Sequence, residues 1–301
     1  MEKKPTVIYI VSDRRSGSTL LENILSKSNE VTSVGEMAML HGHILKSGPG
    51  ERWNWNCSCG EPVKECIFWS GIIKDTYQKD PLVFNTNIEW SFKAKKFLAV
   101  ALLPFIFKEK LLGILNAKKN KDVPRTLNLL YTKIFAQTGK PFIVDSSKDP
   151  LQALSIYKSQ RDFNVKIIWL KRDLRAIAVS KSRWKELNVK KKKTIKKILL
   201  DVFYYRRICR AVSMFIKGDD ILRMQYETIA QQTQQQLDTV IEKFGMNSYT
   251  APEYMFVEDD HTIGGTPNRF EKRPITYDES WKKAYQNKKL LYFVGGLLNK
   301  F

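Results

Sequence analysis

The sequence predicts an α/β protein: a P-loop-like, three-layer fold in which a mostly parallel central sheet of about five strands is flanked by helices. Three observations carry this expectation. The chain opens on Val7-Ile-Tyr-Ile-Val-Ser-Asp-Arg-Arg-Ser-Gly-Ser-Thr-Leu-Leu21, an apolar run, a polar loop with one glycine, and then apolar residues at helical spacing, which is the order strand, phosphate-cradling loop, helix. Further apolar runs at 31–34, 141–145, 165–170 and 221–224 read as strands, most of them followed by segments of helical period, the alternation that builds parallel sheets through crossover helices. The 301 residues, 43% hydrophobic and 27% charged, are enough for a full core, and a single domain over 1–301 is expected.

The opening loop decides which anion fits. Unpaired backbone N–H groups at a helix start, with the positive end of the helix dipole, hold a phosphate. The nucleotide-triphosphate version, Gly-x-x-x-x-Gly-Lys-Ser/Thr, places a lysine after its second glycine. Aligned on Gly17, this chain has Ser18 at that lysine and Ser12 at the first glycine, while its cations, Arg14 and Arg15, come before the glycine. The loop suits a phosphate and suits Mg-ATP poorly. A P-loop kinase of a small metabolite stays as an alternative reading, which magnesium-dependent ATP hydrolysis would support.

Helix one is expected over about Ser18 to Ser26, then a short strand at Val31 to Val34 broken by Gly35. Glu36 falls at or just past that strand's carboxyl end, where open α/β sheets place their ligands; a surface carboxylate at a helix start is the other reading. Residues 47–70 are loop-like and contain Cys57, Cys59 and Cys66, with Cys209 far off in an apparent helix. This spacing falls short of a four-ligand metal knuckle, and a buried cysteine loop is expected. Residues 90–138 read as a helical insertion, where acceptor contacts would lie. Pro141 to Asp145 is the next strand, followed by a loop at its carboxyl end with Lys148, a site residue or a solvated turn lysine, and a helix from about Leu151.

Val165 to Leu170 is a strand with Arg172 at its exit, and the helix that follows brings Ser180 to the same end. Together they could offer one charged and one neutral donor to a second phosphate; surface arginines on a helix is the other reading. Lys190 to Lys193, with Lys196 and Lys197, opens a long helix to about Lys217 and reads as a solvated face or as a contact for acidic headgroups. A strand at Ile221 to Met224 and a Gln-rich helix to Phe244 follow. The segment from His261 to Pro274, with two glycines, Arg269 and Arg273, reads as a loop. His41, His43 and His261 show no metal-ligand spacing.

The formal net charge of +20 implies an anionic ligand, nucleic acid or an anionic membrane surface. A noncatalytic basic protein that binds nucleic acid or anionic lipid is therefore a second alternative. Met-Glu-Lys-Lys-Pro leads straight into the first strand without a signal-peptide pattern. The longest apolar run, Phe97 to Phe107, contains Pro104 and is shorter than the ~20 residues a membrane span needs. With four cysteines in a chain of this length, these features lead to the expectation of a cytoplasmic protein in a reducing compartment, at most peripheral to a membrane.

Taken together, the Arg15-Ser-Gly-Ser-Thr-Leu20 loop, the Arg172 to Ser180 segment and the His-Thr-Ile-Gly-Gly-Thr-Pro-Asn-Arg269 loop make the chain resemble the sulfotransferases, most closely the carbohydrate and tyrosylprotein branches and their bacterial relatives. That resemblance implies transfer of a sulfuryl group from 3′-phosphoadenosine 5′-phosphosulfate (PAPS) to a hydroxyl acceptor, a glycan, glycolipid or peptide, with nucleic acid not expected as a partner. It assigns Arg15, Ser16, Gly17, Ser18, Thr19 and Leu20, with Arg14 beside them, to the 5′-phosphosulfate, and Arg172 with Ser180 to the 3′-phosphate. Glu36 is similar to the family's general base, Lys148 to its active-site lysine, and Arg269 to a donor-contacting residue of the late loop. Arg15 and Lys148 would stabilise the departing phosphate oxygen. The chemistry calls for no metal, because positioning and cations carry an in-line transfer of this kind.

Overall fold

The central strand β1 (Thr6–Ser12) is buried at every position, as expected of a strand covered on both faces. The computed structural model describes residues 4–46, 56–77, 85–91, 104–160, 162–186, 194–256, 260–266 and 270–300. With β2 (Val31–Gly35), β3 (Phe142–Lys148), β4 (Asn164–Lys171) and β5 (Ile221–Gln225), β1 forms a five-stranded sheet in the order β2-β3-β1-β4-β5. All four pairings are parallel. The strand order reverses on either side of β1, which places a crevice at the carboxyl ends of β1, β3 and β4.

Alternation along β1 sorts its side chains between two cores. Val7, Tyr9 and Val11 face one layer, built from α3 (Ile67–Tyr77), α5 (Val123–Thr138), α6 (Pro150–Ser159) and α8 (Ile195–Ser213). Ile8 and Ile10 face the other, where Leu20, Leu21 and Ile24 of α1 (Ser18–Ser26) pack with Ile229 of α9 (Tyr226–Gln231) and Val240 and Phe244 of α10 (Thr233–Phe244). The result is three layers, helices on sheet on helices. The chain also forms α2 (Leu40–Lys46), α4 (Pro104–Leu115), α7 (Leu174–Glu186) and a closing α11 (Lys289–Leu298). Helices α4 and α5 occupy much of the expected insertion, which follows β2 and precedes β3. Among the described residues no helix is long and apolar enough to cross a membrane.

Two expectations need correction. Lys148 ends β3 and does not sit in a loop beyond it: the β1–β3 register shifts between Tyr9 and Val11, which lets the strand run three residues past Asp145. The buried Asp145 carboxylate shapes this end by accepting bonds from Ser147 N–H at 2.8 Å and from the Ser147 hydroxyl. The segment from His261 to Pro274 is not wholly irregular, because Ile263 bridges Gly35 in parallel fashion and Arg273–Pro274 pairs antiparallel with Tyr254–Met255. The basic run at 190–193 lies outside the described residues. Helix α8 is N-capped by Thr194, whose hydroxyl accepts from Lys197 N–H at 3.3 Å, and Lys196 and Lys197 are exposed while Ile198, Leu199 and Val202 are buried.

Candidate functional site

The turn from β1 into α1 takes two left-handed residues, Arg15 (φ 73°) and Gly17 (φ 90°). At Gly17 there is no room for more: a Cβ there would run into the Tyr226 ring. Arg15 holds that conformation with a full side chain, at a cost of about 1–2 kcal/mol. No side chain caps α1, so the first N–H groups of the helix have no intrahelical partner. Ser12 Oγ and Ser16 Oγ are buried beside this turn without a hydrogen-bond partner. The Leu20 side chain belongs to the core with Ile8 and Ile10, which leaves its backbone for a ligand.

Arg15 meets the second predicted phosphate group. Its Nε donates to Ser180 Oγ at 2.9 Å, and Arg172 Nη1 donates to the Arg15 carbonyl at 3.1 Å. Arg172 lies over the Tyr226 ring at 4.2 Å, a cation–π contact of about 0.5–2 kcal/mol, and its buried Nε has no partner. Burial, then the like charges of Arg172 and Arg273, hold the Arg15 guanidinium below its ordinary pKa. Cations gathered so closely favour an anion. Arg269 lies outside the described residues. It is Arg273, from the same late segment, whose charge Arg15 feels.

One strand over, β2 and β3 end side by side and bring Glu36 and Lys148 into an ion pair at 2.7 Å, the side chains 13% and 10% exposed. Lys148 has φ 74° and also donates to the Ser146 carbonyl at 2.9 Å. Glu36 accepts at Oε1 from Gly265 N–H at 3.1 Å. Burial raises its pKa, but Lys148, by charge and hydrogen bond, outweighs burial with help from Arg14 and the Gly265 N–H, so the carboxyl sits below its usual range. It is a carboxylate at neutral pH. Gly35 just before it lies against the Ile263 backbone, too close for any Cβ.

A cleft of about 720 Å³ opens over this pair, with Arg14, Lys181, Trp90 and Tyr204 in its wall. Arg14 lines it beside Glu36 and Lys148, whereas Arg15 turns to Ser180. Lys181, which pairs with Asp13 at 2.5 Å, was not singled out by sequence reasoning, nor was Tyr226. The position of Lys181 one residue past Ser180, on the same helix α7, was the available signal.

A second cluster lies apart from these residues. Cys57, Cys59 and Cys66 meet His261, with all four ligating atoms within 4.8 Å of one another. The fold brings to His261 neighbours with ligating atoms that its spacing in the sequence does not supply. Cys209 is elsewhere, buried in α8.

No protein-family model matches the chain, and no curated protein matches it. Among solved structures, a sulfotransferase domain from the curacin biosynthetic pathway is similar at 17% identity over 95% of this chain and 92% of that one, with a TM-score of 0.51. A sulfotransferase domain from a Synechococcus olefin synthase is similar at 16% identity over 95% of this chain and 89% of that one, TM-score 0.49. A mouse sulfotransferase complexed with PAP aligns over 98% of this chain and 89% of that one at 11% identity, TM-score 0.44. The likeness to the curacin domain shows a shared α/β fold.

Proposed function

We propose that this protein is a sulfotransferase that moves a sulfuryl group from PAPS to a hydroxyl acceptor. The observation that carries the reading is the meeting of Arg15, Arg172 and Ser180: two anion-binding segments 157 to 165 residues apart in sequence converge on one uncapped helix start. A donor with a 5′-phosphosulfate and a 3′-phosphate presents two such groups, and a loop with Ser18 in place of a lysine disfavours a magnesium triphosphate.

In the transfer, the acceptor oxygen attacks sulfur, the bond from sulfur to the bridging phosphate oxygen breaks with its electron pair staying on that oxygen, and the hydroxyl proton passes to Glu36. Lys148 would neutralise the leaving oxygen, with Arg14 and Arg15 at the phosphate; such stabilisation supplies most of the rate. The Glu36–Lys148 pair makes these roles interdependent. While the lysine faces the carboxylate, the base is weak; when the ammonium is drawn to the donor, Glu36 regains proton affinity.

The acceptor would enter through the cleft. Its aromatic wall, Trp90 and Tyr204, and its carboxylates, among them Asp201 and Glu89, suit a polyhydroxylated glycan or glycolipid, which stacks on rings and donates hydroxyl hydrogen bonds. Since Trp90, Ser91 and Lys119 line it, the 90–138 insertion would provide an acceptor wall within a single catalytic domain. The test is binding of adenosine 3′,5′-bisphosphate by calorimetry. Wild type should bind in the micromolar range and Arg172→Ala at least ~10-fold more weakly; absence of binding by wild type refutes the donor assignment.

A further inference from the structure

The cysteine cluster takes no part in the proposed transfer. Cys57 Sγ lies 3.5 Å and Cys59 Sγ 3.7 Å from Cys66 Sγ. His261 Nδ1 lies 3.7 Å from Cys57 Sγ and 3.2 Å from Cys66 Sγ. A disulfide would need about 2.05 Å between sulfurs, and all three cysteines are free. Around a tetrahedral zinc ion with Zn–S about 2.3 Å and Zn–N about 2.0 Å, two sulfurs stand about 3.8 Å apart and a sulfur and a nitrogen about 3.5 Å. These four separations match that tetrahedron to within a few tenths of an ångström, and the remaining two pairs lie within 4.8 Å.

We propose that Cys57, Cys59, Cys66 and His261 bind one zinc ion in a closed structural site. Three thiolates and an imidazole select zinc over hard cations such as magnesium and calcium, and four protein ligands leave no open position for chemistry. Binding releases the three thiol protons to solvent. The surroundings hold the histidine in place: Phe68 stacks on its ring at 5.3 Å with 3° between planes, and Trp69 Nε1 donates to its carbonyl at 2.7 Å.

The ion would staple two segments about 200 residues apart in sequence, already laced by Ser58 N–H to the Thr262 carbonyl at 3.1 Å and Thr262 N–H to Ser58 Oγ at 2.8 Å. Two residues beyond His261, Ile263 bridges Gly35, and Gly265 N–H holds Glu36. The zinc thus anchors the strip that positions Glu36. This last consequence rests on the transfer reaction proposed above; the metal site does not.

Full-length protein grown with zinc and purified without chelator is analysed for metal by elemental mass spectrometry, beside Cys66→Ser and Cys209→Ser. One zinc per chain is expected in wild type and Cys209→Ser, and loss of it in Cys66→Ser. Cobalt replacement in the wild-type chain should give the visible bands of a tetrahedral thiolate site, a readout independent of any variant's folding. Less than about half an equivalent of zinc after loading, octahedral cobalt bands, or undiminished zinc in folded Cys66→Ser overturns the site. Metal removal should lower turnover while bisphosphate affinity holds. Stoichiometric zinc with unchanged turnover on its removal would leave the site standing and sink its link to Glu36.

Discussion

Replacing Glu36 by glutamine keeps the side chain's shape and removes its charge. That charge faces Lys148 at 2.7 Å, with both side chains largely shielded from solvent. Breaking one partner of a buried pair costs about 3–5 kcal/mol when the other is stranded. Here the amide oxygen can still accept from the lysine and from Gly265 N–H, and Lys148 keeps the Ser146 carbonyl at 2.9 Å. Those remaining bonds bring the expected loss of stability to about 1–3 kcal/mol. The loss in rate is larger in kind: without a proton acceptor, turnover should fall ~10²–10⁴-fold, or about 3–5 kcal/mol of barrier. Bisphosphate affinity should hold, because the proposed anion site at Arg15, Arg172 and Ser180 is untouched. The assay is transfer of labelled sulfate at saturating donor, with calorimetry for the bisphosphate and a thermal melt on the same preparation. A folded Glu36→Gln enzyme with wild-type turnover refutes the base assignment, and one that loses bisphosphate binding shows Glu36 to be part of the donor site instead.

Gly17→Ala should abolish measurable bisphosphate binding, since the residue sits at φ 90° against the Tyr226 ring; an alanine variant that binds normally would mean the loop can relax without loss, against the reasoning above. Asp145 gives a pH test. Burial, partly offset by hydrogen bonds from Ser147 and Tyr131, pushes its carboxyl up to about 6, so the folded state holds a proton that the unfolded chain gives up. Its contribution favours folding at low pH and is lost as pH rises from about 4 to about 6. Glu36 acts in the opposite sense: its depressed pKa stabilises above the unfolded carboxyl value and is lost as pH falls through the folded one. Urea melts of Asp145→Asn across pH 4 to 7 should lack the wild-type decline between 4 and 6, and identical profiles would show that Asp145 does not titrate there.

Much of this arrangement was legible because it is local. The strand, loop and helix from Thr6 to Ser26 follow from periodicity and one glycine. Glu36, Arg172 and Lys148 could be placed near strand ends because apolar runs stop where they do. Gly35 was readable as a strand breaker, but its close approach to Ile263 comes from 228 residues away, beyond any local pattern. Tyr226 beneath Arg172, and His261 among the cysteines, were hidden for the same reason: ring stacking and metal-like clustering depend on tertiary neighbours that spacing does not encode. The exit of β3 differs from the expectation because the register shift between Tyr9 and Val11 leaves no compositional mark.

The crowding of Arg15 by Arg172 and Arg273 has a thermodynamic corollary. Like charges held this close, only partly offset by Asp278 at 4.0 Å from Arg172 and Glu271 at 3.6 Å from Arg273, push the folded state toward opening, and an anion settling among them would relieve that push. Folding and donor occupancy are then linked equilibria: a ligand at a hundredfold its dissociation constant adds about 2.7 kcal/mol to the unfolding free energy. If the proposed donor site holds, the amount of intact protein would rise and fall with the supply of activated sulfate, and the same loop would make the protein's lifetime a gauge of it.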